Sequence, residues 1–159
     1  YDPEGETSAE KVLEVIYYCA EKLGVKLMVI DSLMKTGINE DDLNKQKAFA
    51  NKLAVAARDL NIHLFFVAHS RKTADENANA SKFDVAGSAN LTNLVDNVIS
   101  VHRNKKREAE AMNILPDLDI MNEWMASVWL LKQRHGKGVE TKWGFSYEPD
   151  FIRYSEEKL

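Results

Sequence analysis

Four side chains, Asp31, His69, Lys132 and Arg134, have types and spacings that could do chemistry on a phosphate. Asp31 follows four apolar residues, Leu27-Met28-Val29-Ile30, and precedes Ser32. An apolar run ending in an acid is the Walker B pattern, in which the carboxylate holds the Mg²⁺ of a bound nucleotide, often through water. Taken alone, the run reads first as a core strand with an acid at its exit, and the residues that follow tip it toward Walker B. His69 ends a second apolar run and is followed by Arg71 and Lys72. A carboxylate at one strand end and a polar side chain at the next can tie a γ-phosphate to a loop that moves when the phosphate leaves. Lys132 and Arg134 are two residues apart, so in a strand both face the same way. With Gly136 and Gly138 behind them, they suit recognition of a phosphate held by a neighbouring subunit. A solvated, edge-protecting basic strand is the other reading of that pair.

Weaker signals surround these. Gly87-Ser88-Ala89-Asn90 offers backbone N–H groups at a helix start, where a phosphate can sit. The run His102-Arg103-Asn104-Lys105-Lys106-Arg107 is the densest basic stretch, but Glu108 and Glu110 dilute it and it reads as solvated charge. The four histidines have no ligand spacing, and one cysteine, Cys19, gives neither a zinc pattern nor an internal disulfide. No Gly-x-Ser-x-Gly elbow and no dinucleotide fingerprint occur.

The elements that must position these groups follow from periodicity. Thr7-Ser8-Ala9-Glu10 makes a capping box with Thr7 as cap. Val12, Ile16, Cys19 and Leu23 then recur at helical spacing until Gly24 closes the helix. Residues 25–30 form a strand whose continuous apolar run reads as buried on both faces of a parallel sheet. Asn39 caps a second helix with Glu40, Asp41 and Asp42 in its first turn. Its core face is Leu43, Ala50, Leu53, Ala57 and Leu60, and Asn61 is a left-handed stop. Residues 62–68 form the next strand.

Strand, helix, strand in this order is a βαβ unit, which requires a parallel pair with a right-handed crossover. Ligands of such sheets bind at the carboxyl ends of the strands, where Asp31 and His69 stand. Residues 73–83 read as a mobile loop, 84–95 as a loop and short helix, and 97–102 as a third strand. Residues 105–124, with Pro116 and irregularly spaced Met112, Leu115, Leu118 and Met121, read as an insertion. Strands over 127–133, 142–147 and 151–154 follow, the last two joined through Glu148-Pro149-Asp150 as an antiparallel hairpin. The expected whole is a single α/β domain over 1–159, with a mostly parallel sheet, helices on both faces and a C-terminal antiparallel hairpin.

Composition agrees. The 159 residues are enough for one core, and 45% apolar with 29% charged residues is ordinary for a soluble globular chain. The net charge of −4 offers no global basic field, so any contact with nucleic acid must be local. No stretch approaches the about 20 apolar residues of a membrane helix, and no partner membrane is expected. The chain opens Tyr1-Asp2-Pro3 without a methionine and reads as a piece of something longer.

Taken in order, these features resemble the C-terminal RecA-like motor domain of hexameric replicative helicases, the DnaB-like family, and within it the phage primase-helicase and Twinkle branch. The carrying residues are 27–31 as Walker B, 49–60 as the helix before the next strand, and Val67-Ala68-His69-Ser70-Arg71-Lys72 as the sensor motif. Residues 84–103 are similar to the Gly-Ser-Ala…Asp-Asn segment, and Lys132-Gln133-Arg134 to the trans-acting basic pair. The resemblance spans nearly the whole chain apart from 105–124. It implies a RecA-like P-loop NTPase core, ATP and Mg²⁺ as cofactors, and single-stranded DNA as a partner. It also implies identical subunits in a ring, a homohexamer, in the cytoplasm of a bacterial or phage-infected cell.

Carried over by residue, Asp31 would position Mg²⁺ and the attacking water, with Ser32 beside the nucleotide. His69 would sense the γ-phosphate where DnaB has a glutamine. Lys132 and Arg134 would reach the ATP of the adjacent subunit. Arg71, Lys72 and the backbone at Gly87, Ser88 and Asn90 would grip single-stranded DNA through its phosphates. One departure stands out: no Gly-x-x-x-x-Gly-Lys-[Ser/Thr] occurs, and the family's catalytic glutamate is also missing. Both would lie before Tyr1, so the chain alone is expected to bind ATP poorly and not to hydrolyse it. A catalytically inert RecA-like nucleic-acid-binding or scaffold module is the alternative.

Overall fold

A computed structural model describes residues 7–39, 41–68, 89–137 and 141–157. Its elements fall into two compact units, one built on a parallel strand pair and one on an antiparallel sheet.

The first unit begins with helix α1 (Ala9–Leu23), whose cap is Ser8 and not the expected Thr7. The Ser8 side chain accepts the Lys11 amide at 3.1 Å, while the Thr7 amide donates to the Lys35 carbonyl and ties the chain to a later turn. Gly24 ends α1 as expected, in the left-handed conformation at φ 68°. Val25 completes that cap by donating to the Cys19 carbonyl. It is therefore unavailable to the sheet, and strand β1 (Leu27–Ile30) starts two residues later than the strand expected over 25–30.

Helix α2 (Leu43–Asp59) is capped by Asp42, whose carboxylate accepts the Lys45 amide at 3.0 Å. The expected cap, Asn39, instead gives its carbonyl to the Asp42 amide and to the Gln46 side chain. The buried face is Gln46, Phe49, Ala50, Leu53 and Ala56. Against expectation Leu43 is exposed, because the stripe is turned to seat Phe49 edge-on against Phe66. Asn61 stops the chain at φ 50°, as its type suggests, and strand β2 (His63–Phe66) follows.

β1 and β2 pair in parallel, Leu27 opposite His63 and Ile30 opposite Phe66, as the βαβ order requires. Met28, Ile30, Leu64 and Phe66 pack on a core of Ile16, Leu33, Ile38, Phe49, Leu53 and Ile62. Leu27, Val29 and Phe65 alternate onto the other face and are exposed, so the reading of β1 as buried on both faces holds for one. Helix α3 (Ala89–Leu94) adds Leu91 to this core.

The second unit is a meander of strands β3 (Asn97–Arg103), β4 (Ala126–Gln133), β5 (Thr141–Glu148) and β6 (Arg153–Glu157), each antiparallel to the next. The expected C-terminal hairpin is β5–β6, closed by a 3₁₀ turn over Pro149–Phe151. It forms one edge of a larger antiparallel sheet, and β1–β2 is the parallel part among the described residues. Between β3 and β4 run two short helices, α4 (Lys105–Glu110), capped by Asn104, and α5 (Leu118–Met121), capped by Asp117. The basic run is structural here: Arg103 pairs with Glu108, and the Arg107 Nε donates to the Met121 carbonyl at 2.9 Å.

Candidate functional site

Asp31 leaves the carboxyl end of β1 and is exposed to solvent. The main chain around it is held from β2. The Val67 amide donates to the Ile30 carbonyl at 2.9 Å, and the Leu33 amide donates to the Val67 carbonyl at 3.3 Å. The parallel ladder thus continues one step beyond both strands, with Asp31 and Ser32 spanned by it. The Asp31–Ser32 peptide is cis, and Ser32 is buried at the start of a 3₁₀ turn, Leu33–Thr36. Thr36 locks that turn by donating its hydroxyl to the Leu33 carbonyl at 2.6 Å, and Gly37 ends it at φ 67°.

An exposed carboxylate on a fixed main chain suits a hydrated Mg²⁺, which takes one or two protein carboxylates and completes its shell with water and phosphate oxygens. Among the described residues no group of three or more His, Cys, Asp or Glu is placed to hold a metal by itself. Asp31 offers one exposed carboxylate at this strand end, and a phosphate cradle of the Gly-x-x-x-x-Gly-Lys-[Ser/Thr] type is not in the sequence.

The carboxyl end of β2 lies at the same end of the parallel pair as Asp31. His69 itself, with Arg71, Lys72, Gly87 and Ser88, lies outside the described residues. Asn90 belongs to α3, of which only the backbone at that position is described.

The two remaining cations stand in the second unit. Lys132, half-buried, is paired across the sheet with Val98, and Arg134 is the first residue beyond β4. The register shifts between Val98 and Ile99, which face Lys132 and Leu130, so Leu131 is an extra residue on β4. Such a bulge re-aims the residues after it, and here those are Lys132-Gln133-Arg134. Arg134 is not a bare finger. Its Nη1 lies 3.0 Å from Asp96 Oδ1, and its amide donates to the Asp96 carbonyl at 2.8 Å. His135 Nε2 approaches the same Oδ1 at 3.4 Å. Asp96 belongs to the Asp-Asn pair of the 84–103 segment, but nothing in the sequence links it to Arg134: it stands directly before β3, and only the antiparallel register brings it opposite Arg134.

The same sheet carries an aromatic cluster that the sequence does not announce either. The Lys142 ammonium lies 4.0 Å from the Trp129 ring centroid and 5.0 Å from that of Trp124. Burial pushes the Lys142 pKa down, partly opposed by the Glu123 carboxylate.

Solved structures of other proteins share this architecture. One ATPase domain matches with a TM-score of 0.72 over 99% of this chain and 54% of its own, at 15% identity. A DnaB-like replicative helicase, in a structure of that helicase and its interactions with primase, matches with a TM-score of 0.66 over 93% of this chain and 35% of its own, at 16% identity. A KaiC-like protein of the hyperthermophilic archaeon Pyrococcus horikoshii OT3 gives 0.59 over 94% and 57%, at 14% identity. At these identities the likeness is one of fold: the chain has the α/β, RecA-like fold of helicase ATPase domains. It spans between 35% and 57% of the length of these three proteins. No protein-family model and no curated protein matches the sequence.

Proposed function

We propose that this chain is part of the ATP-driven motor of a DnaB-like replicative helicase, in which hydrolysis at subunit interfaces drives movement along single-stranded DNA. The observation that carries this reading is the place of Asp31. It is an exposed carboxylate at the carboxyl end of a parallel strand pair, its main chain fixed from β2, in a fold shared with helicase ATPase domains. In this reading Asp31 holds the Mg²⁺ that ATP brings and orients the attacking water, with Ser32 setting the main chain beside it. His69, which follows the second apolar run in the sequence, contacts the γ-phosphate. Lys132 and Arg134 reach the ATP of the adjacent subunit and stabilise the charge that develops on its γ-phosphate. Arg71, Lys72 and the backbone at Gly87, Ser88 and Asn90 hold the DNA backbone without regard to sequence. The working form is a ring of identical subunits, a homohexamer, acting in the cytoplasm on replicating DNA, and residues 105–124 are an insertion into the motor domain.

The phosphate loop and catalytic glutamate must come from residues beyond these 159, so this chain by itself is inactive. The test is ATP turnover with and without single-stranded DNA, in the full-length protein and in this chain alone. DNA-stimulated turnover in the full-length protein, lost in both Asp31→Ala and Arg134→Ala, is the expected result. Mixing the two inactive mutants should restore part of the activity, since a site that takes its carboxylate from one subunit and its arginine from the next can be rebuilt. Normal turnover in both single mutants would overturn the assignment of Asp31 and Arg134, no turnover in the full-length protein would replace the motor with a nucleotide-independent binding module, and turnover by the isolated chain would overturn its assigned inactivity.

A further inference from the structure

We propose that Asp96 is the positioning residue for Arg134, fixing the guanidinium in the direction from which it meets phosphate on the neighbouring subunit. This rests on the trans-acting role given to Arg134 above. Asp96 stands immediately before β3 and Arg134 immediately after β4. Because Asn97 pairs with Gln133, the antiparallel register sets the two residues against each other across the end of the sheet. Asp96 then holds Arg134 twice, accepting its amide at the carbonyl (2.8 Å) and its Nη1 at Oδ1 (3.0 Å).

An ion pair with side chains 42% and 56% exposed adds little to stability, so folding alone gives no reason for so complete a grip. Its effect is on direction. A guanidinium is a rigid planar fork of five donors, and a carboxylate engaged at one arm sets the plane in which the others lie. On a flexible side chain that orientation would otherwise be lost as entropy each time phosphate is met. The bulge at Leu131 turns the end of β4, and the Asp96 grip holds the turned segment in place. His135 Nε2, 3.4 Å from the same Oδ1, gives the carboxylate a second contact from the Arg134 side of the sheet.

DNA-stimulated ATP turnover of the full-length protein, measured for wild type, Asp96→Asn, Arg134→Ala and the double mutant, tests this, with thermal midpoints for all four. Asp96→Asn should lower kcat about ten- to a hundredfold, the cost of a misplaced catalytic group, with KM for ATP little changed and the midpoint unmoved. In the Arg134→Ala background it should change nothing further, and Asp96→Glu should recover part of the rate. Wild-type or faster turnover in Asp96→Asn, with Arg134→Ala inactive, would overturn the proposal and leave the role of Arg134 standing. Wild-type turnover in Arg134→Ala would remove the underlying reading, and this one with it.

Discussion

The Val67 carbonyl accepts the Leu33 amide at 3.3 Å, tying the chain that leaves β2 to the turn after Asp31. With Ile30 held by Val67 on the other side, the backbone at Asp31 is set by its neighbours and owes nothing to its own side chain. Activity and stability should therefore separate at this residue. Asp31→Asn should change the unfolding free energy of this chain by no more than about 0.5 kcal/mol, as for an exposed side chain without structural duty. In the full-length protein the same substitution should cost ATP turnover about a hundredfold or more, the scale of losing a group that stabilises developing charge. Urea denaturation and a turnover assay on the two chains check the pair of expectations. A large loss of stability would make Asp31 a structural acid.

The core of the first unit rests on Phe49, 2% exposed, whose ring meets Phe66 edge-on at 6.0 Å between centroids and 78° between planes. Truncation to alanine removes a buried ring that the surrounding helix and strands cannot collapse to fill. Phe49→Ala should cost about 3–5 kcal/mol, and Phe49→Leu about 1.5 kcal/mol or less. All three tryptophans, Trp124, Trp129 and Trp143, belong to the other unit, so far-UV circular dichroism of the helices is the informative signal. An unchanged midpoint in Phe49→Ala would mean that this core contributes little to folding.

Signals confined to a few adjacent residues are legible in the sequence. Gly24 and Asn61 end their helices because few residue types accept positive φ, and the βαβ order leaves only a parallel pairing for β1 and β2. The features that escape a sequence reading depend on distant partners. Thr7 and Asn39 have capping side chains, but their backbone groups serve Lys35, Asp42 and Gln46, and the caps fall to Ser8 and Asp42. The buried face of α2 departs from the one periodicity suggests because Phe66, remote in sequence, decides where Phe49 goes. At the candidate site the same division holds. Asp31 is visible because a strand end announces itself locally. The pairing of Asp96 with Arg134 is not, because antiparallel register is a long-range fact, and Arg134 carries no local sign of the carboxylate opposite it.

Gly144 in β5 is buried under Trp124. A Cβ added there would lie 2.0 Å from Cε2 of the indole, far inside contact distance, so the ring itself must move. That ring also faces the Lys142 ammonium, which it shares with Trp129, so one methyl group should disturb the whole cluster. Gly144→Ala should lose about 1–3 kcal/mol, the usual cost of overpacking, and shift tryptophan emission to the red as Trp124 is displaced into water. Trp124→Ala together with Gly144→Ala should lose less than the sum of the two, since the clash is gone. Unchanged emission and midpoint in Gly144→Ala would show that the sheet yields without moving the indole.

Acid should weaken the β5–β6 hairpin. The Glu148 carboxylate accepts the Ser155 hydroxyl and two donors of Arg153, Nη2 at 2.9 Å and Nε at 3.3 Å. The Ser155 hydrogen bond, then those of Arg153, hold its pKa below the usual glutamate value of 4.5. The folded state thus gives up this proton more readily than the unfolded chain. Its contribution to stability is complete above the unfolded value and lost as pH falls through the lowered folded one. Glu108, drawn down by its hydrogen bond to Arg103, loses stabilisation over the same range and with the same sign. The thermal midpoint should be flat from neutral pH down to about pH 5 and then fall, since only below that do these carboxylates take up protons. Glu148→Gln should lower the midpoint at neutral pH and make its fall in acid shallower, because the substituted side chain has no proton to gain. Equal slopes for wild type and Glu148→Gln between about pH 5 and pH 3 would remove Glu148 from the acid response.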